Sequence, residues 1–217
     1  MYSPELVFVT GPNAAGKSSF IRSRLGQLEN FEILMTDVFK GRVFELFDKA
    51  LHSSKNIILE TIFNDSKFKD LVEKAKGAGY YTRLVQLFVD TPTESLERAN
   101  YRRIFENGLA ISKNTILINF NENFKNVAQY YFYFDRVDLI YNGGKNEAIN
   151  LATFEGLDLT RYQSNESNFI KRFAEYAFHK ERMDKKAFDI ISANQDFSNE
   201  QNRHQKDQQE QGRRFKI

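Results

Sequence analysis

The stretch that most constrains this chain is "TGPNAAGKSSF", Thr10 to Phe20. It follows the apolar run Leu6-Val7-Phe8-Val9 and precedes residues Ser18 to Leu28, which can form a helix. Gly11-x-x-x-x-Gly16-Lys17-Ser18 fits the phosphate-binding loop pattern in full. Its glycines allow backbone conformations that a Cβ would block, so successive N–H groups can turn toward one anion. The strand before it and the helix after it are the context the loop needs. The loop Gly11, Pro12, Asn13, Ala14, Ala15, Gly16, Lys17, Ser18 and Ser19 is therefore expected to cradle the phosphates of ATP or GTP. Lys17 is expected to reach the β- and γ-phosphates, and the Ser18 hydroxyl to bind Mg²⁺. Without ligand the Lys17 side chain is expected to be exposed to solvent.

Such a loop calls for alternating strands and helices, and the sequence supplies them. Strands are predicted at Phe31 to Met35, Asn56 to Glu60, Tyr81 to Val89 and Arg136 to Tyr141. Helical periodicity runs over Val38 to Leu51, Lys67 to Gly77, Thr93 to Gly108 with Thr93 as cap, and Lys113 to Phe134. "NGGK" predicts a hairpin turn into a last strand, Glu147 to Phe154. The expected fold is α/β: a three-layer P-loop NTPase sandwich on a mainly parallel five-stranded sheet. Residues 1–160 would form this domain, with lid helices at about 92–134. Phe169, Phe173, Tyr176, Met183, Ala187 and Ile190 predict one long helix over 161–192, packing on the domain or on a partner. Residues 193–217 are Gln-rich and polar and are expected to be disordered.

Composition excludes other classes. The 217 residues carry a formal net charge of +2, so no polyelectrolyte partner is demanded, and a nucleic-acid partner is disfavoured. There is no cysteine, hence no thiolate metal site, and three scattered histidines have no metal spacing. The start of the sequence has no basic leader, and no segment approaches a membrane span, so a cytoplasmic location without membrane partner is expected.

A kinase must also activate its acceptor hydroxyl. Asp37, just past the second strand, and Glu60-Thr61, ending the third, fall at the carboxyl ends of their strands, as the loop does. In open α/β sheets those ends line the ligand crevice. One carboxylate can accept the hydroxyl proton; the other can hold the acceptor or orient Mg²⁺. Asp37 can also cap the helix at Val38, and Glu60 can be a salt-bridge residue. Arg98, Arg102 and Arg103 follow Pro92 on a candidate lid helix. They can stabilise the transferring phosphoryl group, or form a solvated face paired with Glu94 and Glu97.

In this order, "VFVTGPNAAGKSS", "TDVF", "IILET", "ERANYRRIFENGLAISKNTI" and "FDRVDLIYNGG" resemble the zeta-toxin-like P-loop kinases over residues 5 to 145. The resemblance implies ATP and Mg²⁺ at Lys17 and Ser18, Asp37 as catalytic base, and Glu60 and Thr61 at the substrate. It implies Arg98 and Arg102 as the lid arginine pair; Arg103, one step round the helix, is expected to bind substrate. It also implies a nucleotide-sugar acceptor such as UDP-N-acetylglucosamine, and an antitoxin protein as partner. Relatives carry Gly-Gly-His after the lid helix where this chain has "NGLA". The alternatives are a kinase acting on a nucleic-acid end and a non-enzymatic nucleotide switch.

Overall fold

The computed structural model describes residues 3–106, 108–143 and 148–199. Five strands form the parallel part of the sheet: β1 (Glu5–Thr10), β2 (Phe31–Met35), β3 (Asn56–Thr61), β4 (Tyr81–Phe88) and β5 (Arg136–Tyr141). They lie in the order β2-β3-β1-β4-β5. β1 is central, and its register sets Val9 beside Glu60 and Thr10 beside both Thr61 and Gln86. Met35, the last residue of β2, also faces Glu60 across the ladder. The loop after β1, the end of β2 and the end of β3 therefore share one rim.

The sheet is larger than the five-stranded one predicted, and the last strand predicted at Glu147 to Phe154 joins it as β6 (Ile149–Glu155). β6, β7 (Asp158–Tyr162) and β8 (Phe197–Ser198) continue it antiparallel beyond β5, making eight strands in a mixed sheet. β6 and β7 pair through Glu155 and Asp158, leaving Gly156 and Leu157 as a two-residue turn. Gly156 has φ +60°, the left-handed backbone such turns need. The turn predicted at "NGGK" includes residues 144 and 145, which lie outside the described ones.

Period-two alternation along the strands gives the sheet two apolar faces. Val7, Val9, Ile58, Val85, Leu87 and Ile140 pack with Phe20 and Ile21 of α1 (Lys17–Arg22). Leu6, Phe8, Leu59, Leu84, Phe88 and Leu139 form the larger core. Against them lie α3 (Val43–His52), α4 (Phe68–Gly77) and α6 (Lys113–Tyr130), so the helices make a layer on each face. Each fully buried Phe or Leu stabilises the fold by roughly 1.5–3 kcal/mol.

Several helices differ from their sequence patterns. The periodicity from Val38 to Leu51 is split into α2 (Thr36–Phe39), a 3₁₀ turn Lys40–Arg42, and α3. Lys40 has φ +48°, so the chain turns between a segment at the rim and one buried in the core. α1 ends at Arg22, before a 3₁₀ turn at Leu25–Gln27. α5 (Pro92–Phe105) is capped by Thr91, not Thr93: its hydroxyl accepts from Glu94 N–H at 3.1 Å. Pro92, with fixed φ and no N–H, suits the first helical position, which makes its predecessor the cap.

The single long C-terminal helix is two: α7 (Asn168–His179) and α8 (Lys185–Ser192). Glu181 at φ +56° turns the chain, and the Asp184 carboxylate caps α8 by accepting from Ala187 N–H at 3.0 Å. Both helices join the main core through Phe169, Phe173, Ala187 and Ile191. Phe169 stacks on Phe88 with ring centroids 4.1 Å apart. The N-terminus of α7 is fixed by Asp90, which accepts from Ser167 Oγ at 2.7 Å and from Phe169 N–H. The polar stretch from residue 193 is ordered in its first part. Asn194 Oδ1 accepts from Tyr162 OH at 2.7 Å, Asp196 accepts from Ser164 N–H at 2.7 Å, and β8 follows. Specific hydrogen bonds there offset the ordering entropy that apolar burial does not. Residues 200–217 lie outside the described ones.

Candidate active site

The loop after β1 has the backbone its glycines permit. Gly11 passes so near β4 that a Cβ would meet Leu87 O at 2.2 Å. Gly16 has φ +91°, and a Cβ there would meet Asn142 Nδ2 at 2.3 Å. That same Asn142 amide donates to Ala15 O at 2.8 Å. Ala14 also takes a left-handed conformation, at φ +57°, which costs about 1 kcal/mol or more in a residue with a Cβ.

Lys17 is not exposed as expected; it is 8 % accessible. Its ammonium folds back to donate to Gly11 O at 2.9 Å and Pro12 O at 3.0 Å. Burial lowers its pKa to about 8, against the charges of Glu60 and Asp37, which favour the ammonium, while Arg102 disfavours it. The Ser18 hydroxyl donates to Glu60 Oε1 at 2.7 Å. Glu60 is 6 % accessible, and its other oxygen, Oε2, is buried without a partner. Burial raises the Glu60 pKa, opposed by the Ser18 hydrogen bond and the Lys17 charge.

Asp37 stands in the first turn of α2 and is exposed. The helix begins at Thr36 with Met35 in the cap position and no side-chain cap, so the reading of Asp37 as cap for a helix at Val38 fails. Among the described residues Asp37 has no ion pair or hydrogen bond, and it opens onto the same cleft as Lys17, Ser18 and Glu60.

The three arginines of α5 separate. Arg102 lines the cleft, with Ala99 one turn before it. Arg98 is paired with Glu94 at 2.7 Å and is not on the cleft wall; Arg103 is exposed elsewhere. Thr61 is buried, and its hydroxyl accepts from Phe63 N–H at 3.3 Å beneath the rim. Of the loop, Asn13, Ala14, Gly16, Lys17 and Ser18 face the cleft. Ala15 packs into the core beside α1, and Ser19 is exposed on α1. Gly108, Leu109 and Ile111, between α5 and α6, complete the wall.

A set of buried amides at this rim was not anticipated. Asn119, Asn123 and Asn126 lie on one face of α6 and are buried. Asn123 Nδ2 donates to Thr10 Oγ1 at 3.1 Å and to Ile62 O, and its Oδ1 accepts from Gln86 Nε2 at 2.7 Å. Asn126 Nδ2 donates to Phe63 O at 3.0 Å. Asn119 Nδ2 donates to Asn13 Oδ1 at 2.9 Å, and Asn64 Nδ2 donates to Asn119 Oδ1 at 2.8 Å. The spacing i, i+4, i+7 was visible, but it overlapped an apolar stripe and named no partner.

The site is thus a cleft with two cations, Lys17 and Arg102, facing two carboxylates, Asp37 and Glu60. No protein-family model and no curated protein matches the chain. Solved structures do. A chain from the PezAT chromosomal toxin–antitoxin system of Streptococcus pneumoniae is similar over 89 % of this chain and 85 % of that one, at 13 % identity and TM-score 0.53. A chain of the AvrRxo1-ORF1:AvrRxo1-ORF2 complex, crystallised with ATP, is similar over 88 % and 71 %, at 14 % identity and TM-score 0.58. A chain of a Pnkp1/Rnl/Hen1 RNA repair complex is similar over 60 % of this chain and 47 % of that one, at 16 % identity and TM-score 0.51. This chain shares its α/β fold with these structures.

Proposed function

We propose that this chain is an ATP-dependent kinase that moves the γ-phosphate to a hydroxyl of a small molecule, a nucleotide-sugar such as UDP-N-acetylglucosamine among the candidates. The observation that carries this is Asp37: an exposed carboxylate without a protein partner, on the wall of the phosphate-loop cleft. A pure nucleotide switch needs no such group.

In this reading Lys17 leaves the loop carbonyls and donates to the β- and γ-phosphates, since a phosphate oxygen is a stronger acceptor for an ammonium than a neutral carbonyl. Asp37 takes the proton of the acceptor hydroxyl. Arg102 is the arginine that stabilises the transferring group: it lines the cleft, and its pair with Glu106, at 3.6 Å and exposed, is looser than the 2.7 Å pair between Arg98 and Glu94. Ser18 and Glu60 would hold Mg²⁺, and the metal would neutralise charge between the phosphates. Among the described residues no three His, Asp or Glu side chains cluster to hold a cation. The buried, unpartnered Oε2 of Glu60 beside Ser18 fits one that also takes oxygens from phosphate and water. That hydrogen bond favours a metal role for Glu60 over an acceptor contact.

Among the described residues no helix is long and apolar enough to cross a membrane. A cytoplasmic enzyme and a cognate antitoxin belong to the proposal; a similar chain comes from a toxin–antitoxin system.

The test is incubation of the purified chain with γ-labelled ATP, Mg²⁺ and a panel of nucleotide-sugars, sugars, nucleosides and 5′-hydroxyl oligonucleotides. The expected result is label transferred to a small-molecule hydroxyl. Hydrolysis without transfer to any acceptor would replace the kinase by a switch, and transfer to the oligonucleotides alone would change the acceptor class.

A further inference from the structure

Three side-chain amides run in series from the surface to the cleft: Asn64 donates to Asn119, and Asn119 donates to Asn13. Asn119 is 7 % accessible and Asn13 8 %. The backbone of Asn13 is held too, its carbonyl accepting from Ser95 Oγ of α5 at 2.6 Å. The acceptor end of the Asn13 amide is therefore occupied and the donor end is free. Nδ2 has no partner among the described residues, and it is not one of the buried polar atoms left without one. It remains open to the cleft, whose wall Asn13 shares with Lys17, Asp37 and Arg102.

We infer that Asn13 reads the terminal phosphate: its amide Nδ2 donates to an oxygen of the γ-phosphoryl group of a nucleoside triphosphate, with Asn119, and through it Asn64, as positioning residues. The inference rests on the nucleotide reading of the cleft. The terminal phosphate is the one concerned because Asp37 and Arg102 border the same space, and a base and an arginine act where the phosphoryl group is transferred. The series matters because a primary amide has two ends. Turned over, Asn13 would present Oδ1 to a phosphate oxygen and repel it. Asn119 donating into Oδ1 keeps the donor outward.

A nucleoside diphosphate lacks this phosphate, so the contact contributes to triphosphate binding alone. The test is calorimetric titration of the full chain with a non-hydrolysable ATP analogue and with ADP, alongside thermal melting. Asn13→Ala is expected to weaken the triphosphate about tenfold, the scale of one hydrogen bond to a charged group, and ADP by less than about twofold. Asn119→Leu is expected to weaken the triphosphate about threefold with ADP unchanged, and to add nothing in the Asn13→Ala background. A merely structural role would move both nucleotides together and persist in the double variant. If Asn119→Leu does not fold, Asn64→Leu, at the exposed end of the series, makes the same comparison. Equal losses for the two nucleotides, no loss, or tighter triphosphate binding by Asn13→Ala would overturn the inference. A parent chain that binds neither nucleotide would instead remove the reading of the cleft, and the inference with it.

Discussion

Asp138 and Glu60 are both buried carboxylates in this sheet, with opposite surroundings. Asp138, on β5, is fully buried and accepts from Arg83 Nε at 2.9 Å, Arg136 Nε at 3.1 Å, Asn150 Nδ2 at 3.0 Å and Thr153 Oγ1 at 2.9 Å. Glu60, on β3, accepts from Ser18 through one oxygen and leaves the other bare. Burial opposes charge in both. At Asp138 two guanidiniums outweigh it and the pKa is lowered; at Glu60 nothing of that strength does and the pKa is raised. A saturated buried charge fixes where strands lie. The unsaturated one, beside the phosphate loop, is the carboxylate that the proposed function gives to a cation.

The largest effects should fall on the unsaturated cluster and on activity alone. Lys17→Ala is expected to lower turnover roughly 10²- to 10³-fold by removing a cation at the phosphates. Asp37→Asn keeps shape and is expected to cut phosphate transfer by roughly 10²- to 10⁴-fold. Its ATP affinity should stay near that of the parent, and thermal melting should be unchanged in both variants. An Asp37→Asn chain that transfers phosphate at the parent rate would remove Asp37 as the base.

Asp138→Ala should do the reverse. It leaves two buried guanidiniums without their carboxylate, and breaking a buried pair costs about 3–5 kcal/mol. Urea unfolding should show that loss, while turnover per folded molecule is unchanged. A milder effect, under about 1 kcal/mol of stability in either direction, is expected for Glu60→Gln, because that change removes an imperfectly solvated charge. Its activity should instead need far more Mg²⁺, read from a magnesium titration at fixed ATP. If Glu60→Gln unfolds as readily as Asp138→Ala, the contrast between the two clusters is wrong.

The smallest effect is in the pH dependence of stability, measured without divalent metal. For Asp138 the folded value lies below the ordinary 3.8, so its contribution is complete above 3.8 and is lost as pH falls through the lowered value. Glu60 has the opposite sign. Between its raised folded value and the ordinary 4.5, the folded chain binds a proton that the unfolded chain does not. Stability therefore rises as pH falls through that window. Glu60→Gln should abolish the gain on mild acidification and leave the acid loss; Asp138→Asn should blunt the loss. Melting temperatures from pH 7 to pH 2 would separate them.

How legible this molecule is follows from the range of the interactions involved. Periodicity and turn chemistry are local, so β1 to β5 and the phosphate loop are readable from the chain, and the ends of strands mark Asp37 and Glu60 for one rim. Two kinds of feature escape such reading. Breaks inside a continuous apolar stripe, as between α2 and α3 or α7 and α8, depend on where each half must pack. β6 falls where the sequence places its last strand, Glu147 to Phe154, but β7 and β8 go unread: β8 is only two polar-flanked residues whose pairing comes from β7.

By itself the sequence determined the loop, the order of strands and helices around it, and which residue types could meet at its edge. Only the tertiary structure decided which of them do. Arg102 faces the cleft and Arg98 and Arg103 do not: Arg98, one turn before Arg102 on the same helix face, is drawn to Glu94, and Arg103 sits one step round the helix. Lys17 is buried because the loop's own carbonyls hold its ammonium. Asn13 is tied to Asn119, 106 positions away, by a hydrogen bond that no local pattern encodes. Burial and hydrogen-bond pairing are properties of the packed chain, and those assign a charged side chain to structure or to chemistry.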